Sequence, residues 1–361
     1  MGYVLRFEDC QLKDCESLGG KIASLVTLTA AGLPVPPGFA VSANAFRWTL
    51  AHAGLEPQLA ELMSTMDPTD TDSISAAGWR ARELILAASI PSGLFTSIVE
   101  AYADLCTLCG TDDVPVAVRS SATCEDQPDA SFAGEHDTYL WVRGADDVLQ
   151  GVRQCWASLY TDRAIAYRRV MGYTDAAAAM AVAVQKMVLP KTAGVAFTLN
   201  PLNGDRSQVA IDASWGFGEA VVSGAVTPDN FLVDKVIGEV HGRTISAKET
   251  EFRLTEHDHV EPMPIDPERR SVPSLTDDEV RAVAALARRA EKHYGCPQDV
   301  EWALDAQLPG PDNVLLLQSR PETVWSQKPK IPAARRGEDY LTSMVNTLVA
   351  PVTGRAGGTP G

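Results

Sequence analysis

Four residues in the sequence DVEWALDAQLPGPDNVLLLQSRPET bring two carboxylates, a carboxamide and a guanidinium to one short hairpin: Asp299, Glu301, Gln318 and Arg320. Residues two apart share one face of a strand, so Asp299, Glu301, Ala303 and Asp305 point one way and Val300, Trp302 and Leu304 the other. The second run puts Leu316, Gln318 and Arg320 on one face, and the Pro/Gly/Asn/Asp-rich stretch 306–313 reads as the turn between the runs. With Asp305 opposite Val314, antiparallel pairing sets Glu301 against Gln318 and Asp299 against Arg320. This makes a hairpin with polar groups concentrated at one end. An exposed face with one cross-strand ion pair would produce the same pattern.

Two further stretches carry residues of the same kind. In SLGGKIASL, Lys21 follows two glycines and falls in the first turn of a helix, where a cation opposes the helix dipole unless an anion binds there too. In VRSSATCEDQPDASFAG, an apolar strand delivers Arg119 into Ser120, Ser121 and Thr123, and the loop ends at Gly134. Turn amides and hydroxyls can surround phosphate oxygens, and Arg adds a planar fork of donors. A solvated lysine and a polar surface loop are the competing readings.

The elements that must position these groups follow from apolar periodicity. Helices are expected from Lys21 to Ala31 with a stop at Gly32, from Ala43, over 78–109, and as one long amphipathic helix over 146–171. A buried strand over 114–122 and a second in HDTYLWV flank the phosphate loop. MAVAVQKMV (180–188), GVAFTLN (194–200) and QVAIDASWG (208–216) read as three central strands, followed by a short helix at GEAVVSG and a strand at NFLVDKV. Residues 276–295 read as a helix with a Thr276/Glu279 capping box and a Gly295 stop. Beyond about Gln327 the composition turns to Pro, Gly, Ala and Thr, which reads as a linker or docking tail.

Bulk properties exclude some partners. The 361 residues suffice for two or more cores. A formal charge of −16 argues against a nucleic-acid backbone or an anionic membrane as the main partner, while leaving room for a local phosphate site. No 18-residue apolar run is present, and acidic residues stand where a signal peptide would need its apolar region, so a cytoplasmic protein is expected. Seven cysteines fit reduced thiols. Cys106 and Cys109 have CxxC spacing with no second pair, and their helical surroundings read as buried or semi-buried thiols.

Five ordered blocks spanning residues 18–324 resemble the nucleotide-binding region of the phosphoenolpyruvate synthase, pyruvate phosphate dikinase and rifampicin phosphotransferase family. They are LGGKIASL…AGLPVPPGFAVS, VAVRSSATCEDQPDASFAGEHDTYL, VQKMV…GVAFTLNP, ASWGFGEAVVSGAVTPDNFLV and DVEWALD…LLLQSRPET. The resemblance implies an α/β (α+β) ATP-grasp fold with two lobes enclosing ATP: residues 1–185 as one, 186–326 as the other, and 327–361 as the tail. It implies that Lys21, Arg119 and Arg320 meet the ATP phosphates as the catalytic cations, with the Ser120–Thr123 turn and Gly134 covering them. Gln185, Met187 and Val188 would meet adenine, and Glu219 the ribose. Glu301 and Gln318 would be ligands of Mg²⁺ (or Mn²⁺), supported by Asp299.

Relatives of this kind pass the β-phosphate to a histidine in a swivelling domain, and no such motif follows His293. His136, beside the phosphate loop, reads as a surface histidine, as do His52, His241, His257, His259 and His293. Three arrangements remain open. The chain is the ATP-binding subunit of a split phosphotransferase, as in phenylphosphate synthase with phenol as acceptor and a separate phosphohistidine subunit. Or it is an excised domain of a longer enzyme such as rifampicin phosphotransferase. Or it is a nucleotide-binding regulatory module without turnover.

Overall fold

The computed structural model describes residues 2–123, 126–127, 130–131, 138–172, 178–310 and 313–325. Met1–Trp325 form one compact unit. Gly134, His136 and the expected tail lie outside the described residues.

The chain opens with β1 (Val4–Arg6), α1 (Gly19–Ala30) and β2 (Gly38–Val41). Four helices follow: α2 (Ala43–His52), α3 (Glu56–Thr65), α4 (Thr71–Leu86) and α5 (Ser92–Cys109). The expected helix over 78–109 is therefore two, because Pro91 cannot donate a backbone hydrogen bond and biases Ile90 away from helical dihedrals. Next come β3 (Val116–Ala122), a two-residue ladder of β4 (Asp126–Gln127) with β5 (Ala130–Ser131), and β6 (Thr138–Val142). The expected helix over 146–171 is also broken, into α6 (Ala145–Ala157) and α7 (Asp162–Val170). Thr161 caps the second piece by accepting from the Ala164 N–H.

From there the chain is mainly strands: β7 (Met180–Lys186), β8 (Pro190–Phe197) and β9 (Gln208–Trp215), then the one-turn α8 (Glu219–Val222) and β10 (Asp229–Asp234). β11 (Val240–Thr244), β12 (Thr250–Leu254), β13 (Val260–Pro264) and the short α9 (Pro267–Arg270) were not legible in the sequence. The capping box and the Gly295 stop of α10 (Asp277–Tyr294) are as expected, and β14 (Gln298–Asp305) and β15 (Val314–Pro321) complete the unit.

Two antiparallel sheets organise these elements, in the orders β1-β2-β7-β3-β6 and β11-β10-β9-β8-β14-β15. The three runs expected to be central strands are central, in two different sheets: β7 in the first, β8 and β9 in the second. Alternation in each strand supplies two faces. Val116 and Val118 of β3, with Val182 and Val184 of β7, are buried against α6, around Val152, Cys155 and Trp156. In the second sheet Val209, Ile211, Val300, Trp302 and Leu304 are buried against α10. The opposite faces look inward, and α1 joins the sheets, touching β3 and β7 of one and the edge strand β15 of the other. Its Ile22, Leu25 and Val26 join Ala40, Ala181 and Ala183 to the second sheet's core.

Candidate nucleotide site

The hairpin β14–β15 keeps the expected pairs Glu301 with Gln318 and Asp299 with Arg320. The expected partner of Val314 is corrected: it is Leu304, not Asp305, because a bulge inserts one extra residue at Leu317. The bulge also reverses the alternation along β15. Leu316 is fully buried in the α10-side core, while Gln318 lies opposite Glu301 on the inward face, so the expected shared face of Leu316 and Gln318 is wrong. Without the bulge, Gln318 would point into the core with Leu316.

Arg119 comes to this hairpin from the other sheet. On β3 it alternates with Val118 and so faces inward; its Nη1 donates to the Leu317 carbonyl at 3.4 Å and its Nη2 lies 4.0 Å from Glu301 Oε2. Both side chains are mostly covered, at 21% and 26% exposed. Arg119 Nε and Asp299 Oδ1 are each buried without a hydrogen-bond partner among the described residues. An orphaned donor and an orphaned acceptor on facing walls are what an absent polar ligand leaves behind. Asp299 Oδ2 accepts from Arg320 Nε at 3.3 Å. Burial pushes the Asp299 carboxyl above its ordinary range, and the Arg320 guanidinium offsets that in part.

Lys21 reaches the same region from the uncapped first turn of α1. That helix end is fixed on both sides: Ile22 N–H donates to Ser121 Oγ at 3.4 Å, and Ser24 Oγ donates to the Ser319 carbonyl at 2.8 Å. Lys21 and Ser24, three apart, share a helix face directed at β15. Gly19 makes the approach possible. Its φ is +70°, and a Cβ there would lie 2.5 Å from Ser121 Oγ.

The other sequence-selected residues divide. Ser120 is buried on the face of β3 that carries Val118 and Ala122, away from Arg119. Ser121 is engaged by α1, and Thr123 Oγ1 donates to the Ala179 carbonyl at 3.3 Å. Gln185 is buried opposite Ala117, and its amide donates to the Pro36 carbonyl at 3.2 Å. Met187 packs with Ala117 and Phe217, and Val188 with Ala193 and Ala303. Glu219 is exposed at the start of α8, which packs on β8 and β9.

Two inward-facing residues were not singled out from sequence. Thr138 is exposed and pairs with Arg119 across β3–β6. The ladders also line up one row across the second sheet: Asn230, Asp212, Val195, Glu301 and Gln318. Asp212 is two strands from Glu301, about 10 Å, and accepts from Asn230 Nδ2 at 2.8 Å. Burial raises its carboxyl above the usual range. The alternation in QVAIDASW, with Val209 and Ile211 buried, was the available signal.

Among the described residues no group of three or more His, Cys, Asp or Glu side chains gathers into a metal centre. The inward carboxylates Asp299 and Glu301, with the Gln318 carboxamide, supply hard oxygen donors, and the orphaned Asp299 Oδ1 leaves one of them open. This donor set fits Mg²⁺ shared with a polyphosphate better than an all-protein cage. Cys106 is buried in α5, where its sulfur accepts from the Val114 N–H at 3.4 Å, and Cys109 is half-buried, in keeping with structural thiols. No described helix is long and apolar enough to cross a membrane.

Residues 15–339 match the family model for the pyruvate phosphate dikinase, AMP/ATP-binding domain. A "Probable phosphoenolpyruvate synthase" of Methanothermobacter thermautotrophicus is 44% identical over 325 residues, 90% of this chain and 46% of that protein. Its namesake in Methanocaldococcus jannaschii is 41% identical over 335 residues, 93% of this chain and 28% of that one. A rifampicin phosphotransferase of a Streptomyces species is 39% identical over 339 residues, 94% of this chain and 37% of that protein. The chain thus spans less than half the length of each of these relatives.

Proposed function

Since the chain belongs to the pyruvate phosphate dikinase AMP/ATP-binding domain family, we propose that it binds Mg·ATP between its two sheets and passes the β-phosphate to a histidine outside these residues. The observation that carries this reading is the meeting of Arg119 with Glu301 and Leu317 across the sheets, beside two orphaned polar atoms. A nucleotide-sensing module could keep an apolar base pocket and dispense with that gathering of charge, so the geometry favours turnover.

Lys21, Arg119 and Arg320 neutralise the triphosphate, and Arg119 Nε finds in a phosphate oxygen the acceptor it lacks. Glu301 and Gln318 hold Mg²⁺ (or Mn²⁺), with Asp299 supporting them. The cation supplies electrostatic stabilisation of charge on the transferring group. Met187 and Val188 present apolar walls to adenine, and Glu219 meets the ribose. The partner histidine attacks the β-phosphorus with its own lone pair and needs no base from this chain; AMP leaves. Water then releases the terminal phosphate from the pyrophosphorylated histidine, and the remaining phosphoryl group goes to a small acceptor. The sum is ATP, acceptor and water giving AMP, phosphate and phosphorylated acceptor.

Coverage of 28–46% of the relatives' lengths supports placing the histidine outside residues 1–361, on a separate subunit or on further sequence of the same polypeptide. Phenol is the acceptor we assign to the separate-subunit arrangement. The test uses ATP labelled at the β-phosphate, with Mg²⁺ and lysate of the source organism. Acid-labile, base-stable label on a second polypeptide, with AMP, is the expected result. Glu301→Ala and Arg320→Ala should each lower transfer by at least ~100-fold with the fold retained, and normal turnover in either would overturn the site.

A further inference from the structure

Trp141 and Asp258 are the two residues other than glycine that have positive φ among the described residues, both at 60°, and they are bonded to each other. Trp141 Nε1 donates to Asp258 Oδ1 at 3.1 Å. Trp141 occupies a bulge of β6, where Leu140 and Trp141 both face Ala117, a position whose left-handed backbone ordinarily selects glycine. Asp258 lies in the turn of the β12–β13 ribbon, where an Asp tolerates that conformation. A tryptophan held in a disfavoured backbone is over-determined by its surroundings, and such places concentrate where function demands a fixed geometry.

The surroundings show what is fixed. Arg143 Nε lies 3.6 Å from Asp258 Oδ2, its Nη1 4.0 Å from Asp113 Oδ2, and its guanidinium 5.9 Å from the Trp141 ring centroid. Asp113 is itself anchored by the Tyr102 hydroxyl at 2.7 Å and the Gly144 N–H at 2.8 Å. On its other side the indole meets Phe217 edge to face at 6.1 Å. Phe217 N–H donates to the Phe252 carbonyl at 3.0 Å, and Gly216 approaches that oxygen so closely that a Cβ would lie 2.2 Å from it. The ribbon therefore grips the 216–219 turn at one end and the edge strand of the first sheet at the other. Met187 and Leu189, which connect the two sheets, pack in the same apolar cluster.

We propose that Trp141, Arg143 and Asp258 form a clasp that fastens the β12–β13 ribbon across the Met187 end of the cleft, and that they act as positioning residues for the nucleotide. The clasp holds the 216–219 turn, and with it Glu219, over the cleft while the other wall, bearing Arg119 and Thr138, stays in place. This rests on the nucleotide reading above.

Calorimetric Mg·ATP titration and hydrogen exchange of residues 250–264, both on the full chain, test it. Asp258→Ala and Trp141→Phe, each of which removes the bond, should raise Kd about tenfold and speed exchange in the ribbon, with the global melting temperature little changed. Asp258→Asn, which keeps an acceptor for the indole, should restore Kd to within about twofold. The double variant Trp141→Phe/Asp258→Ala should be no weaker than either single one. Unchanged affinity in Asp258→Ala, failure of Asp258→Asn to restore it, or additive losses would overturn the proposal. If the unaltered chain bound no Mg·ATP at millimolar concentration, the nucleotide reading would fall. The clasp would then be judged in the free chain, where faster ribbon exchange in Asp258→Ala supports it and equal exchange overturns it.

Discussion

Asp299 shows how one residue can be costly to the fold and useful to the site. It is the carboxylate whose neighbours matter most: Arg320 on Oδ2, no partner on Oδ1 among the described residues, and burial that raises its pKa. A raised folded pKa adds stability that is fully present below the unfolded value, about 3.8, and is lost as pH rises through the folded one. At neutral pH the ionised group is therefore a net cost. Asp299→Asn should raise the melting temperature by about 1–2 °C at pH 7, with the advantage shrinking to nothing as pH falls towards 4 in paired unfolding experiments. The same substitution should weaken Mg·ATP binding. The unaltered chain should lose that binding on acidification at a higher pH than an ordinary carboxylate would dictate. A variant destabilised at pH 7, or one with undiminished affinity for Mg·ATP, would remove Asp299 from the site.

Among elements, α1 does the most to assemble the site, since it sets Lys21 and supports β15 through Ser24. Its start depends on Gly19 in a way that its end does not depend on Gly32. Both have left-handed φ, +70° and +73°, but a Cβ at Gly32 meets nothing within 4 Å, whereas one at Gly19 meets Ser121 at 2.5 Å. Gly32→Ala should cost about 1 kcal/mol for the backbone alone, and Gly19→Ala about 1–3 kcal/mol more for displaced atoms. Urea unfolding of the two variants checks the difference, and equal losses would show that the helix start is free to shift.

Local signals made α1, α10 and the β14–β15 pairing legible: a glycine stop, a capping box, polar alternation. The bulge at Leu317 was not, because nothing in the run LLLQS distinguishes four alternating positions from four with one inserted, and only the Trp302–Leu316 packing selects it. That α1 joins the two sheets was equally hidden, since an amphipathic pattern states that a face is buried but not against which strands. Ser120 misled for the opposite reason. Its chemistry suits a phosphate, but alternation after Val118 turns it to the other face.

At the scale of the whole molecule, sequence blocks on either side of residue 186 give two sheets, yet the packing does not divide there. The core beneath the second sheet takes Phe7, Ala40, Ala181 and Ala183 from the first sheet's segment, with the apolar side of α1 between them. A core shared in this way should unfold with both sheets at once, because opening either exposes the same side chains. Ile22→Ala, at a fully buried position of α1, should cost about 2–5 kcal/mol. It should lower the protection of β7 and β14 amides by equal amounts in native-state hydrogen exchange, with one urea transition. Loss of protection confined to one strand, or two transitions, would mean that the sheets are energetically separate and that Arg119 and Glu301 meet only when something else holds them together. Equal losses would mean that α1 itself keeps those two residues within reach before any nucleotide arrives.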